Sequence, residues 1–177
     1  SGMARANHSG ARFCRAPKEG GDGVDLIPED AHKLFGNGRY DAFPLIASRG
    51  DIVLAVWRSA TKHDIDHDNF LRGAMSADGG RTWNAPFVLY DDKDPLIEIG
   101  NGGVAWDEKR NVWVVMFLTE HYDSVSSTTV ARRGAHTITS PLVATGSSWS
   151  KPSPELPVSA AAWWYGADLA VGADGLW

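Results

Sequence analysis

Residues 62–68 read Lys-His-Asp-Ile-Asp-His-Asp, a stretch with three carboxylates and two imidazoles. Such groups move protons near neutral pH and bind divalent cations, so the stretch is a candidate for general acid–base work and equally for an ordinary solvated loop. Carboxylates suit Ca²⁺ and imidazoles suit Zn²⁺; this mixture matches neither ligand set, so no metal and no other cofactor is expected. Arg58, at the end of an apolar run, is a cation for an anionic ligand or a partner for a loop carboxylate. Trp163, Trp164 and Tyr165 suit stacking on sugar rings, and equally suit packing between sheets.

The elements that must hold these residues read as short strands separated by turn chemistry. Phe43–Ser48 and Ile52–Trp57 flank Arg49-Gly50-Asp51 and make a hairpin. A polar loop, Arg58–Asn69, leads to Phe70–Ser76, and a return runs from Thr82-Trp83 to Tyr90, giving a four-stranded antiparallel unit. The pattern restarts at Gly102–Trp106, turns at Asp107–Asn111, continues through Val112–Phe117 and Thr137–Thr139, and returns near Trp149, 66 residues after Trp83. A third unit opens at Asp168–Val171. Residues 1–38 show little periodicity and read as an irregular leader; residues 39–177 carry the repeating units.

Between the third and fourth strands lies Ser76-Ala77-Asp78-Gly79-Gly80-Arg81-Thr82-Trp83. Asp78 can accept backbone N–H bonds within such a turn, Gly80 can take a backbone angle closed to other residues, and Trp83 can pack beneath. Ser76, Asp78, Gly80, Thr82 and Trp83 match every fixed position of the Asp-box of sialidases and related bacterial neuraminidase repeat proteins. The turn before Trp149 keeps a Gly, a hydroxyl and the Trp, and by its sequence lacks the Ser and the Asp. From Tyr40 to Trp177 the chain resembles the opening blades of an exo-sialidase. That resemblance implies an all-β fold, a β-propeller of about six blades when complete, of which about two to three are present. The others are then expected from a C-terminal half, a partner fragment or another copy.

The resemblance implies roles. Asp64, twelve residues before Ser76, matches the catalytic acid/base, a role favoured by partial burial that raises a carboxyl pKa. Arg58 matches a substrate-binding cation. The family places an Arg of its carboxylate clamp two residues before the Pro of the first strand. This chain has Ala42 there and Arg39 three residues earlier, so Arg39 is a substrate-binding candidate only if a bulge realigns it.

The composition, 43% hydrophobic and 22% charged, supports a globular core. A net charge of −5 without a long basic tract excludes the usual footprint of nucleic-acid binding, and no apolar run reaches the length of a membrane span. Cys14 is the one cysteine and gives no compartment signal. Ser1-Gly2-Met3 reads as a tag remnant before a native methionine, with no signal peptide after it, while the resemblance favours an extracellular or periplasmic setting. The partner is expected to be a glycan. The leading expectation is a glycoside hydrolase of exo-sialidase type acting on terminal sialic or related acidic sugars. The alternative is a glycan-binding propeller without catalysis, lectin-like or of the phage-tail receptor-binding kind.

Overall fold

The computed structural model describes residues 38–63, 65–158, 169 and 171. They form eight strands: β1 Tyr40–Arg49, β2 Ile52–Ala60, β3 Phe70–Ser76, β4 Phe87–Tyr90, β5 Ile97–Asp107, β6 Val112–Tyr122, β7 Val130–Ser140 and β8 Leu156–Val158. The fold is all-β, and no helix occurs among the described residues. There are two antiparallel four-stranded sheets, ordered β1-β2-β3-β4 and β5-β6-β7-β8, and together they do not close a ring. No helix of the described residues is long and apolar enough to cross a membrane. The third unit read from Asp168–Val171 and the Trp163-Trp164-Tyr165 cluster fall outside the described residues, apart from Leu169 and Val171.

Tight turns explain why each sheet forms locally. Gly50 has φ +59° at the first central position of the two-residue β1–β2 turn, where the right-handed twist of a hairpin favours glycine. The β5–β6 turn uses Asn111 at φ +57°, a conformation asparagine tolerates. Buried Asp107 accepts from the Arg110 backbone N–H at 3.0 Å and from its guanidinium at 2.8 Å, which closes that turn.

Alternation along the strands then builds a core between the sheets. Leu54, Val56 and Leu71 of the first sheet meet Ile99, Trp113, Val115, Phe117 and Ile138 of the second, all essentially sealed from water. Each such side chain contributes roughly 1.5–3 kcal/mol by leaving water. The Trp113 indole N–H still finds an acceptor, the Leu142 carbonyl at 3.0 Å.

The structure extends several strands beyond their apolar runs. β2 continues through Arg58 to Ala60, β5 starts at Ile97, β6 reaches Tyr122, and β7 begins at Val130. These extensions mix charged residues such as Arg58, Glu98, Glu120 and Arg133 with their apolar ones, so hydrophobic alternation marks them poorly. β4, by contrast, starts only at Phe87, after a non-strand stretch that includes Trp83.

Candidate functional site

The connection from β2 to β3 is folded around Asp66. Its carboxylate accepts from the Thr61 backbone N–H, from the Thr61 hydroxyl at 2.9 Å, from Lys62 N at 3.2 Å and from Asp68 N at 3.0 Å. Burial alone would raise its pKa; the donors of Asp68, Thr61 and Lys62 outweigh that and hold it below the usual carboxylate range. Asp66 is therefore the internal staple of the loop. Asp64 lies outside the described residues.

Arg58 occupies the β2 end of this loop and is buried. Its guanidinium donates to the Ile99 carbonyl at 3.1 Å, the His63 carbonyl at 3.3 Å and Glu98 Oε1 at 2.5 Å. The Asn69 side chain takes the Ile99 N–H at 2.6 Å and donates to the Asp66 carbonyl. The outward-facing peptide groups of Ile99 on β5 are thus capped by Arg58 of β2 and Asn69 of the β2–β3 loop, and the same two side chains anchor the loop at His63 and Asp66.

Arg39 sits on the other face of the first sheet. Asp41 pairs with Ser59 and Ala42 with Arg58, so positions 58 and 59 point to opposite faces. The Arg39 guanidinium reaches Ser59 Oγ at 3.3 Å, pairs with Asp68 at 3.2 Å and covers the Phe70 ring at 4.9 Å. A bulge does interrupt β1, with Phe43 at φ +55°, but it lies between Ala42 and Leu45 and leaves Arg39 on the Ser59 face. Arg39 and Arg58 do not converge on one point. Ala42, the position two before Pro44, is the residue opposite Arg58.

The second sheet adds charged residues that the sequence reading placed in loops or left unremarked. Glu98 and Glu120 are directly opposed across β5 and β6, an arrangement that costs energy unless cations offset it. Arg58 holds Glu98, Arg133 holds Glu120 at 2.6 Å, and the Tyr122 hydroxyl lies 3.0 Å from both carboxylates. Burial raises the Glu98 pKa, and Arg58 only partly offsets it. Burial and the two carboxylates push the Tyr122 phenol far above its ordinary value, so it stays protonated and serves as a hydrogen-bond donor. His67 meets the Tyr122 ring edge-on at 5.4 Å, and its Nδ1 is buried with no hydrogen-bond partner among the described residues. Chemically this is a charge-balanced row with a neutral phenol at its centre, suited to binding polar groups.

In the first sheet, the Ser76–Trp83 turn leaves β3 at the end opposite to the Asp66 loop. The Asp78 carboxylate accepts from the Ser76 hydroxyl at 2.7 Å, the Thr82 N–H at 2.8 Å and the Thr82 hydroxyl at 2.6 Å. Ser76 Oγ accepts from Gly80 N at 2.8 Å, and the Trp83 indole donates to the Gly80 carbonyl at 2.9 Å. Gly79 and Gly80 take φ +74° and +92°, which few other residues could adopt.

The turn before Trp149 is flanked by the same pair of bonds. Met75 exchanges backbone and side-chain bonds with Asn84, at 2.9 Å and 2.7 Å; Thr139 does so with Ser150, at 2.8 Å and 3.0 Å. Ser140 therefore stands where Ser76 stands, which corrects the reading that the serine is lost. The second turn is two residues longer, so fixed spacing misses it. Ser148 bonds Ser140 at 2.6 Å and caps Thr145 N at 2.8 Å.

No protein-family model matches the chain, and no curated protein matches it.

Proposed function

We propose that the two sheets are neighbouring blades of a sialidase-like β-propeller, and that the protein carrying them is a glycoside hydrolase for terminal sialic or related acidic sugars. One observation carries the reading: the Asp-box fastener and the loop around Asp66 lie at opposite ends of β3. Ligand chemistry set on loops away from the structural turns suits a rigid scaffold with a site at one rim. The hydrogen bonds that recur at Trp149 support repetition of one blade pattern. In this reading Asp64 donates a proton to the leaving oxygen. Arg58 braces the loop from beneath.

A second reading, a glycan-binding propeller without hydrolysis, is favoured by Arg39 and Arg58 lying on opposite faces, since a carboxylate clamp needs guanidiniums that converge. The test is Asp64→Asn in the protein that carries this chain, with two sialosides of different leaving group. The hydrolase reading expects a far larger loss on the poor leaving group than on an activated aryl one. Equal losses remove Asp64 as proton donor. Absence of turnover together with glycan binding unchanged by Asp64→Asn replaces the hydrolase by the binder.

A further inference from the structure

A second charged cluster lies on the face of the second sheet opposite to Glu98 and Glu120. Residues paired across β6 and β7 share a face, which sets His121 beside Arg132, Thr119 beside Gly134 and Phe117 beside His136. Glu155, just before β8, lies across this face. Its Oε2 is 2.9 Å from His121 Nε2 and 3.6 Å from His136 Nε2, and its Oε1 accepts from Arg132. Gly134 supplies the room, because a Cβ there would run into the Glu155 side chain. The buried Thr119 hydroxyl, 3.1 Å from His121 Nε2 and 3.4 Å from His136 Nε2, forms the floor.

The partners fix the proton positions. The Ser153 carbonyl only accepts, and it is 3.0 Å from His136 Nδ1, so that nitrogen carries the hydrogen and Nε2 accepts from Thr119 when the ring is neutral. Arg132 only donates, and its Nη2 is 3.1 Å from His121 Nδ1, so the His121 hydrogen sits on Nε2, aimed at Glu155. A guanidinium and a directed imidazole N–H thus converge on one carboxylate, in a groove that a missing Cβ keeps open. Burial would raise the Glu155 pKa; Arg132 and His121 outweigh it and hold the carboxyl below the usual range.

We propose that this groove is a carboxylate-binding site whose internal occupant is Glu155, and that the carboxylate of a small acidic ligand, such as a sugar acid, takes its place when the segment leading into β8 lifts. Past the Ser153 bonds to Thr137 and His136, that segment is held among the described residues by β8, which is three residues long, pairs with Arg133–Ala135, and leaves Leu156 65% exposed. A tethered carboxylate acts as a local concentration in roughly the millimolar range, so a free one competes poorly until Glu155 is removed. The proposal holds whether or not the protein hydrolyses glycosides.

The test is chemical rescue in the full chain, with Glu155→Ala melted in sodium acetate and in sodium chloride of equal ionic strength. Acetate is expected to recover the lost melting temperature. It should also shift the Arg132 and His121 side-chain resonances with an affinity about tenfold or more above that of the unaltered chain. Adding Arg132→Ala should abolish both effects. Identical behaviour in the two salts, or an acetate response that survives Arg132→Ala, overturns the proposal. Should Glu155→Ala fail to fold in either salt, amide exchange at Leu156 and Val158 of the unaltered chain decides. Faster exchange in concentrated acetate than in chloride supports displacement of Glu155, and equal exchange overturns it.

Discussion

Arg58 Nη2 and Glu98 Oε1 stand 2.5 Å apart across the gap between the two sheets, with side chains only 4% and 13% exposed. Charges so shielded from water are expensive to separate, because the survivor keeps its burial and loses its counter-ion. The pair therefore ties the two sheets together more firmly than any surface pair.

Arg58→Ala is accordingly expected to cost about 3–5 kcal/mol of stability, while Arg39→Ala, whose partner Asp68 is exposed, should cost no more than about 1 kcal/mol. Urea midpoints of the two variants measure this. Replacing Arg58 and Glu98 together by Met should recover much of the first loss, since two apolar side chains leave no orphan charge. Similar midpoints for Arg58→Ala and Arg39→Ala would contradict the account.

The Asp78 carboxyl is held well below the ordinary range by the Thr82 hydroxyl and N–H and by the Ser76 hydroxyl. A group with a depressed folded-state pKa adds stability that is fully present above its unfolded value, about 3.9, and is lost as pH falls toward the folded value. Melting temperature in the unaltered chain should therefore fall more steeply below about pH 4 than in Asp78→Asn. Parallel curves would show that the turn bonds do not depend on the charge.

Trp83 and Trp149 occupy equivalent turns but differ in one atom's fate. The Trp83 indole N–H bonds the Gly80 carbonyl, whereas the Trp149 N–H is buried without a partner among the described residues. Phenylalanine at 83 forfeits a bond, and at 149 it removes an unmet donor. Trp83→Phe should destabilise by about 1–2 kcal/mol more than Trp149→Phe in denaturant titrations.

The parts legible in the sequence were those where a backbone constraint forces a residue type. Gly50, Gly80 and Asn111 mark turns because their positive φ leaves few alternatives, and Ser76–Trp83 is legible because each side chain bonds at a fixed separation. The charged row escaped because strands were traced by their apolar residues, and β5, β6 and β7 turn polar where Glu98, Glu120, Tyr122 and Arg133 begin. Ser140 escaped for another reason: its turn does the same job with two more residues. The separation of Arg39 from Arg58 follows from strand alternation, whereas the position of the bulge after Ala42 does not, because nothing local requires Phe43 to take a positive φ.

The interruption of β1 has one more effect. Among the described residues β1 is the outer strand of its sheet, and an outer strand offers peptide groups to any extended chain that drifts alongside. Pro44 has no N–H to give, and the kink at Phe43 throws the following carbonyls out of step, so an incoming strand finds no continuous row to zip onto. A segment that carries exposed Phe43 and Ile46 is thereby a poor template for strand addition.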